Sequence, residues 1–342
     1  MSGPTYRDVA RELGVSTATV SRALSGELGV SEELAERVRR TAEALGYRSN
    51  RAARALRKKR AEAVGLVISD VENPFFASVA RTVEGAAAER RHAVLLCNTD
   101  EDLDQERLYL DLLIEENVAG VIVAPSAEQI GPLAQLREQG IPTVTLDRRV
   151  EDDPFDAVLV DHRAGARELV AHLLEHGHRS IAAVMGTTAA TPSRERLAGC
   201  REAIDAVDGA ELSVVEGEMR DAVGVQGTFE LGERLAMEML LGDDRPSAVF
   251  CANGLLSLGV LRAVRRLGLR VPDDIAVVGF DDQPFFDLLD PPLSVAAQPL
   301  DQLGRTAVEL LFDRIAHPDR DVSTVILPPS VRLRRSCGCS DT

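Results

Sequence analysis

The chain has no tryptophan, three tyrosines and nine phenylalanines in 342 residues, and its only lysines are Lys58 and Lys59. Its five cysteines (Cys97, Cys200, Cys251, Cys337 and Cys339) are odd in number and scattered, mostly in apolar surroundings. That excludes a disulfide framework and reads as reduced thiols. No apolar run approaches a membrane span, and the opening MSGPTYRDVA lacks the apolar stretch of a secretory signal. No membrane partner and a cytoplasmic location are therefore expected. The marks of a doubly wound enzyme are missing too. No G-x-G-x-x-G or Walker loop follows a strand-like run, and no G-x-S-x-G elbow occurs. His176 and His178 flank a glycine in a helix-ending turn, and Cys337-x-Cys339 lacks partners at zinc spacing. Neither a metal, nor another cofactor, nor an enzyme is expected.

What is present is a charge partition. The whole chain is −16, yet residues 1–60 carry 13 basic against 7 acidic side chains, leaving 26 against 48 for the rest. A small basic head on a large acidic body suits a polyanionic partner, because phosphate contacts are local while the acidic remainder suppresses non-specific adhesion. The length exceeds what one core serves and implies two or three domains.

Within the head, residues 5–24 read as two short helices joined by a tight turn at Gly14-Val15. Val9, Ala10 and Leu13 form one inner stripe and Val20, Ala23 and Leu24 another, with Ser16 placed to cap the second helix. Ser16, Thr17, Ala18, Ser21 and Arg22 are left outward. A small-residue face bearing one guanidinium fits the DNA major groove, although a plain helical hairpin with a solvated face has the same pattern. A third helix is expected from the cap Ser31, with Leu34, Val38, Ala42 and Leu45 as its buried stripe and Gly46 as its end. The basic stretch RAARALRKKR, 51–60, is either a charged linker or a helix that orders only against DNA with Leu56 as an apolar wedge.

From residue 64 short β-rich runs (64–69, 93–97, 120–124, 143–146, 157–160, 180–185, 213–216, 248–251 and 275–280) alternate with amphipathic helical stretches. This predicts parallel sheets covered on both faces, in two lobes of about four to six strands each, with a ligand in the cleft at the strands' carboxyl ends. The candidates at those ends are Ser69, Asp70, Asn73, Phe75, Phe76, Asp147, Arg148, Asp161, Thr191, Ser193, Arg196, Asn253, Asp281 and Asp282. Carboxylates, amides and an arginine beside aromatic rings suit a polyhydroxylated ligand. Singly, each Asp or Asn is equally at home in any loop or helix cap.

Taken together these segments resemble the LacI/GalR family of bacterial transcriptional regulators. The likeness rests on Thr5, Asp8-Val9-Ala10, Gly14-Val15-Ser16, Thr19-Val20-Ser21-Arg22-Ala23-Leu24, Ala44-Leu45-Gly46-Tyr47 and Asn50-Arg51-Ala52-Ala53-Arg54-Ala55-Leu56. It continues through Asn73-Pro74-Phe75-Phe76, Asp147-Arg148, His176-Gly177-His178-Arg179, Arg196-x-x-Gly199, Gly279-Phe280-Asp281-Asp282, Pro291-Pro292-Leu293 and Cys337-Gly338-Cys339, covering essentially the whole chain.

The resemblance implies an α/β protein: an all-α helix-turn-helix head over 1–49, a hinge helix over 50–61, and a two-lobed, periplasmic-binding-protein-like body of two doubly wound, parallel-sheet subdomains. The lobes would comprise about 62–160 plus 292–325 and about 161–291 plus 326–342. It also implies a repressor of double-stranded, pseudo-palindromic operator DNA with a central CG step. Thr17, Ala18 and Arg22 would meet bases, Thr5, Ser16, Ser21, Ser31, Tyr47 and Asn50 would position phosphates, and Arg54 and Leu56 would act in the hinge. Paired heads imply a homodimer. Phe75, Phe76, Asp147, Ser193, Arg196, Asn253 and Asp281 would contact a small-molecule effector, a sugar or sugar derivative. One departure stands out: Gly254 replaces the Asp that usually follows the strand-end Asn. His162, also less usual, is open between facing the cleft and lying solvated in a loop. An exported sugar-binding protein would share the body but has no use for residues 1–60.

Overall fold

The computed structural model describes residues 5–25, 30–45, 62–152, 155–186, 188, 190–217, 224–242 and 244–339. The hinge segment 50–61, with Arg54 and Leu56, and the positions Tyr47 and Asn50 lie outside them. The chain divides into two units, Met1–Arg60 and Ala61–Thr342.

The first unit is a three-helix head. Helix α1 (Tyr6–Leu13) begins at Thr5, whose backbone N–H and hydroxyl both donate to the Asp8 carboxylate at 2.8 and 2.7 Å. Helix α2 (Thr17–Ser25) is capped by Ser16, whose Oγ accepts from the Thr19 N–H at 3.0 Å. Helix α3 (Glu32–Ala44) is capped by Ser31 and ends one residue before Leu45, which, expected in the buried stripe, is instead exposed at the helix's end. Val9, Ala10, Val20, Ala23, Ala35, Val38 and Ala42 close a core of small side chains, which lets three short helices approach closely.

The second unit contains two six-stranded sheets of the same winding. The first is built from β1 (Ala63–Ile68), β2 (Ala93–Asn98), β3 (Val121–Val123), β4 (Thr143–Leu146), β5 (Asp156–Val160) and β11 (Thr324–Leu327), all parallel, in the order β11-β5-β4-β3-β1-β2. The second has β6 (Ser180–Met185), β7 (Glu211–Glu216), β8 (Ala248–Cys251), β9 (Ala276–Phe280), β10 (Ser294–Ala297) and β12 (Ser330–Arg332), ordered β12-β10-β9-β8-β6-β7. Only β12 runs antiparallel, against β10. Strands such as Val64–Ile68 and Ala276–Phe280 are buried on both faces, which is why they read as continuous apolar runs rather than alternating ones. In each sheet the first strand lies between the second and the third, so each has a switch point where the crossovers diverge and a crevice opens.

Helices cover both faces. Helix α4 (Pro74–Glu89) and α11 (Leu300–Ala316) share a core on the first sheet through Val79, Val83, Leu303, Ala307 and Leu311. On the second sheet α7 (His162–Glu175) packs on α8 (Thr191–Asp205), and α9 (Gly224–Leu240) on α10 (Gly254–Arg266). The first pair meets at Gly199, where an added Cβ would lie 2.2 Å from the carbonyl oxygen of Arg163. Backbone cannot yield as a side chain does, so Gly199→Ala should cost about 1–3 kcal/mol in urea unfolding; an unchanged midpoint would mean that the helices separate freely.

The strands place two lobe crossings later than the expected 292 and 325. Ser294–Ala297 still belongs to the second sheet and Thr324–Leu327 to the first, so the chain crosses back at residues 298–299 and again at 328–329. Parallel ladder bonds to β9 hold 294–297 in place, a pairing the short run SVAA does not announce.

Candidate functional site

The carboxyl ends of both sheets converge on one cavity of about 150 Å³. All seven effector candidates (Phe75, Phe76, Asp147, Ser193, Arg196, Asn253 and Asp281) line it, with Ser69, Asp70, Asn73 and Arg148 from the wider set. Asp161, Thr191 and Asp282 do not. Asp161 caps α7 by accepting from the Ala164 N–H at 3.0 Å, Thr191 donates to Glu128, and Asp282 is held by Arg332 and Arg334.

The two lobes present their aspartates in the same way. Asp147 follows the fourth strand of its sheet and Asp281 the fourth of the other, with left-handed φ of 64° and 70°. Each donates its backbone N–H to the neighbouring strand, Asp147 to Val158 at 2.8 Å and Asp281 to Ala296 at 3.0 Å. The ladder bond fixes the residue while the left-handed backbone turns its side chain off the sheet; aspartate tolerates that conformation better than most side chains. Asn73 and Asn253 each cap a helix, accepting from the N–H of Phe75 at 3.0 Å and of Leu256 at 2.9 Å. Phe75 and Phe76 are buried in an edge-to-face pair 4.8 Å apart. Gly254 does not line the cavity; a Cβ there would stand 3.3 Å from the buried Phe286 ring and 3.8 Å from the Asp281 Cβ, so the glycine gives room to that ring behind Asp281.

Two arginines are built in. Arg148 donates to both carboxylate oxygens of Glu101, to the Pro125 carbonyl at 3.0 Å and to Ser69 Oγ at 3.2 Å. Arg196 donates to the Ala252 carbonyl at 2.6 Å and lies over the Phe280 ring at 4.0 Å.

Between Arg196 and Asp147 stands His162, 3% exposed, so the solvated-loop reading of this residue is corrected. Its Nε2 is 2.9 Å from Asp147 Oδ1, and its Nδ1 is 3.2 Å from Arg196 Nη2. Arginine can only donate, so Nδ1 must accept and Nε2 carries the proton, which makes the ring neutral. Burial, then the Arg196 charge, hold its pKa below the ordinary histidine value against the pull of Asp147. The unfolded chain therefore takes up a proton below about pH 6.5 that the folded chain refuses. This share of stability is full above that pH and lost as pH falls. His162→Gln, whose amide can donate to Asp147 and accept from Arg196, should shrink the stability loss between pH 7.5 and 5.5. His172 and His178, also held low by burial, would keep their share. Equal losses in the variant and the wild type would refute the tautomer.

Asp100 and Glu101 in the loop after β2, Thr228 in α9 and Gln298 directly after β10 also line the cavity, beyond the expected candidates. Gln298 donates to Asp281. The lining thus holds five carboxylates (Asp70, Asp100, Glu101, Asp147 and Asp281) against two guanidiniums. Two buried polar atoms on lining residues, Arg148 Nε and Gln298 Oε1, have no hydrogen-bond partner.

In the head, Ser16, Thr17, Ala18 and Arg22 are exposed along α2, Ser21 is half-buried beside them, and Thr5 and Ser31 are exposed at helix starts. The structure thus brings Thr17, Ala18, Ser21 and Arg22 together on the outer side of the second helix, opposite buried Val20 and Ala23. No helix among the described residues is long and apolar enough to cross a membrane.

Residues 5–50 match the lacI family of bacterial regulatory proteins, and residues 170–337 match a periplasmic binding protein-like domain. The chain is 34% identical to the ribose operon repressor of Halalkalibacterium halodurans over 97% of this chain and 96% of that protein. It is 31% identical to the transcriptional repressor PurR of Mannheimia succiniciproducens over 97% and 98%. A crystal structure of the lac repressor dimer bound to operator and the anti-inducer ONPF superposes with a TM-score of 0.86 at 25% identity, covering 98% of this chain and 99% of that one. With a helix-turn-helix head, a doubled parallel-sheet body and full-length likeness to repressors, the chain belongs to the lacI family of bacterial regulatory proteins and is a transcriptional repressor.

Proposed function

We propose that this repressor works as a cytoplasmic homodimer on a pseudo-palindromic operator, and that a single-ring sugar or sugar derivative in the inter-sheet cavity sets its operator affinity. The observation that carries the ligand class is the mixed lining, in which the carboxylates of Asp147 and Asp281, the Asn253 amide and the Arg196 guanidinium share one cavity with the edge-to-face rings of Phe75 and Phe76. Hydroxyl groups both donate and accept, so a polyol satisfies such a mixed set. Five carboxylates against two arginines oppose a phosphorylated or carboxylated ligand. The cavity is smaller than the about 300–1,000 Å³ clefts that take drug-sized molecules, which supports one ring rather than an oligosaccharide. The likeness to a ribose operon repressor supports the same class.

In the head, Arg22 reads a base by paired hydrogen bonds and Thr17 and Ala18 offer methyl or hydroxyl contact. Thr5, Ser16, Ser21, Ser31, Tyr47 and Asn50 hold phosphates, and Arg54 and Leu56 engage the minor groove at a central CG step. The effector acts by population shift: it stabilises one arrangement of the two lobes, and that arrangement decides whether residues 50–61 order on DNA.

The test is fluorescence anisotropy on DNA upstream of the gene and its neighbours, with free pentoses, hexoses, their phosphates and purine bases. Specific binding modulated by a free sugar supports the reading; modulation by a purine alone, or by a sugar phosphate over the free sugar, overturns the ligand class. Arg22→Ala should weaken operator binding by about 1–3 kcal/mol and flatten discrimination at one base pair. Undiminished discrimination would remove Arg22 from base reading.

A further inference from the structure

The pair Cys337 and Cys339, partnerless at zinc spacing along the sequence, is not partnerless in space. Helix α7 carries His172 in its last turn and ends on His176, four residues apart and so on one face. The final turn of the second lobe, Arg335–Cys337, packs against that face. His172 Nε2 lies 3.3 Å from Cys337 Sγ and 3.2 Å from Cys339 Sγ, the two sulfurs are 3.4 Å apart, and His176 Nε2 is 3.6 Å from Cys339 Sγ. We propose that His172, His176, Cys337 and Cys339 bind one Zn²⁺ ion that fastens the C-terminal turn to helix α7.

Geometry is the first argument. Zinc–sulfur bonds near 2.3 Å and zinc–nitrogen bonds near 2.0–2.1 Å at tetrahedral angles put sulfurs about 3.8 Å apart and a sulfur about 3.6 Å from a nitrogen. His172 Nε2 and the two sulfurs form one face of such a tetrahedron: their separations fall within a few tenths of an ångström of those edges, and all three atoms lie within 4.8 Å of one another. His176, whose Nε2 is 3.6 Å from Cys339 Sγ, stands beside that face and completes the set once its ring turns toward Cys337. Two free thiols and an imidazole of a folded chain reach such mutual distances only where several elements hold them there. Gly338 is part of that: its φ of 96° belongs to the region that favours glycine, and it folds Cys339 back beside Cys337.

The surroundings are those of a ligand set. His176 Nδ1 is 3.0 Å from the His172 carbonyl, which places the ring proton there and leaves Nε2 with its lone pair toward the sulfur. The Cys337 thiol donates to the Arg334 carbonyl at 3.1 Å, and the Ser294 hydroxyl lies 3.0 Å from that carbonyl and 3.2 Å from the sulfur, so its proton can turn to a thiolate once the thiol proton is released. Two thiolates balance the charge of a divalent ion, and each thiol releases its proton to solvent on binding. Two sulfurs with two imidazoles select a borderline-soft tetrahedral ion over Mg²⁺ or Ca²⁺. Cys337 is fully buried and four protein ligands leave no open position, so the site is structural rather than catalytic.

The test uses the full-length protein, reduced and stripped of metal, titrated with Co²⁺ as a spectroscopic probe. The expected result is the visible absorption of tetrahedral cobalt with a thiolate charge-transfer band, saturating near one ion per chain and bleached by Zn²⁺. Cys339→Ala and His176→Gln act at the more exposed end of the set. Each should weaken Co²⁺ binding beyond the roughly 10–100-fold typical of losing an outer-shell partner. Metal-free melting curves matching the metal-free wild type would show that both variants fold. Zn²⁺ should raise the melting temperature of the wild type and not of Cys339→Ala. No tetrahedral band in the wild type overturns the proposal, as does a band unchanged in Cys339→Ala. Isolation of the chain without reductant as a Cys337–Cys339 disulfide would also overturn it.

Discussion

Arg196→Ala should abolish binding of the proposed sugar effector and lower stability by about 3–5 kcal/mol, the usual result of removing one partner from a buried charge network. The guanidinium is 6% exposed and joins three parts of the site: the Ala252 carbonyl at the end of one strand, the Phe280 ring at the end of another, and His162. It is also a positive charge near Asp147 and Asp281, which are 5% and 9% exposed. Without it, two carboxylates lose countercharge in a site that water reaches poorly, and His162 Nδ1 loses its donor. The melting temperature of the body should fall on the order of 10 °C. Arg196→Lys separates charge from shape: an ammonium keeps the countercharge but cannot spread over Phe280 or span Ala252 and His162 together. It should recover part of the stability and little of the ligand affinity. An alanine variant that melts and binds sugar as the wild type does would mean that Arg196 is a bystander.

The likeness between Asp147 and Asp281 shows how much of this site is written locally. Both follow an apolar run, and a carboxylate that ends such a run at a sheet's carboxyl edge is legible without coordinates. Asn253 is legible on the same grounds, and Ser193 as part of the polar opening of the helix that follows β6. The rest of the lining depends on tertiary placement. Asp100 and Glu101 sit in a loop after β2, Thr228 in a helix, and Gln298 on the return crossing; nothing in their neighbours announces a ligand. His162 is the clearest case. Its position after Asp161 left a solvated loop open, yet α7 starts there and its packing carries the ring under Arg196.

The fold divides in the same manner. Buried apolar strands, even β3, β4 and β8 of three or four residues, and periodic helices were readable, whereas Ser294–Ala297 is set by its pairing with β9, and Thr324–Leu327 and Ser330–Arg332 are half-exposed edge strands defined by their partners. Helix α11 is different. Leu303, Ala307, Val308 and Leu311 recur at helical spacing, so its stripe was available although the expected strands end at 280. The metal-ligating cluster lay beyond sequence reading for a simpler reason: the histidines and cysteines are more than 160 residues apart, and only packing joins them.

Asp156→Ala should destabilise the body by a similar 3–5 kcal/mol, for reasons remote from any ligand. The Asp156 carboxylate is fully buried and accepts from Arg314 Nε and Nη2 at 2.9 and 3.0 Å, from Arg320 Nη1 and Nη2 at 2.9 and 2.8 Å, and from the Ser323 N–H at 2.8 Å. One residue at the start of β5 thereby ties the end of α11 and the segment entering β11, the chain that has just returned to the first lobe. Alanine would leave two guanidiniums, 14% and 18% exposed, facing each other without their shared counterion. The pair is bidentate and charge-assisted on both sides, so a neutral amide is a poor substitute, and Asp156→Asn should be nearly as damaging. Burial pushes the Asp156 carboxyl up, but hydrogen bonds from Arg314, Ser323 and Arg320 outweigh it and hold the group below the ordinary carboxylate value. A carboxylate depressed in the folded state contributes fully above the unfolded value near pH 3.9 and loses that contribution as pH falls through the folded value. The stability gap between wild type and Asp156→Asn, read by urea unfolding, should therefore hold steady from pH 7 to about 5 and narrow below about 4. A gap that stays constant into the acid range would mean that the charge on Asp156 is not what holds the returning chain in the first lobe.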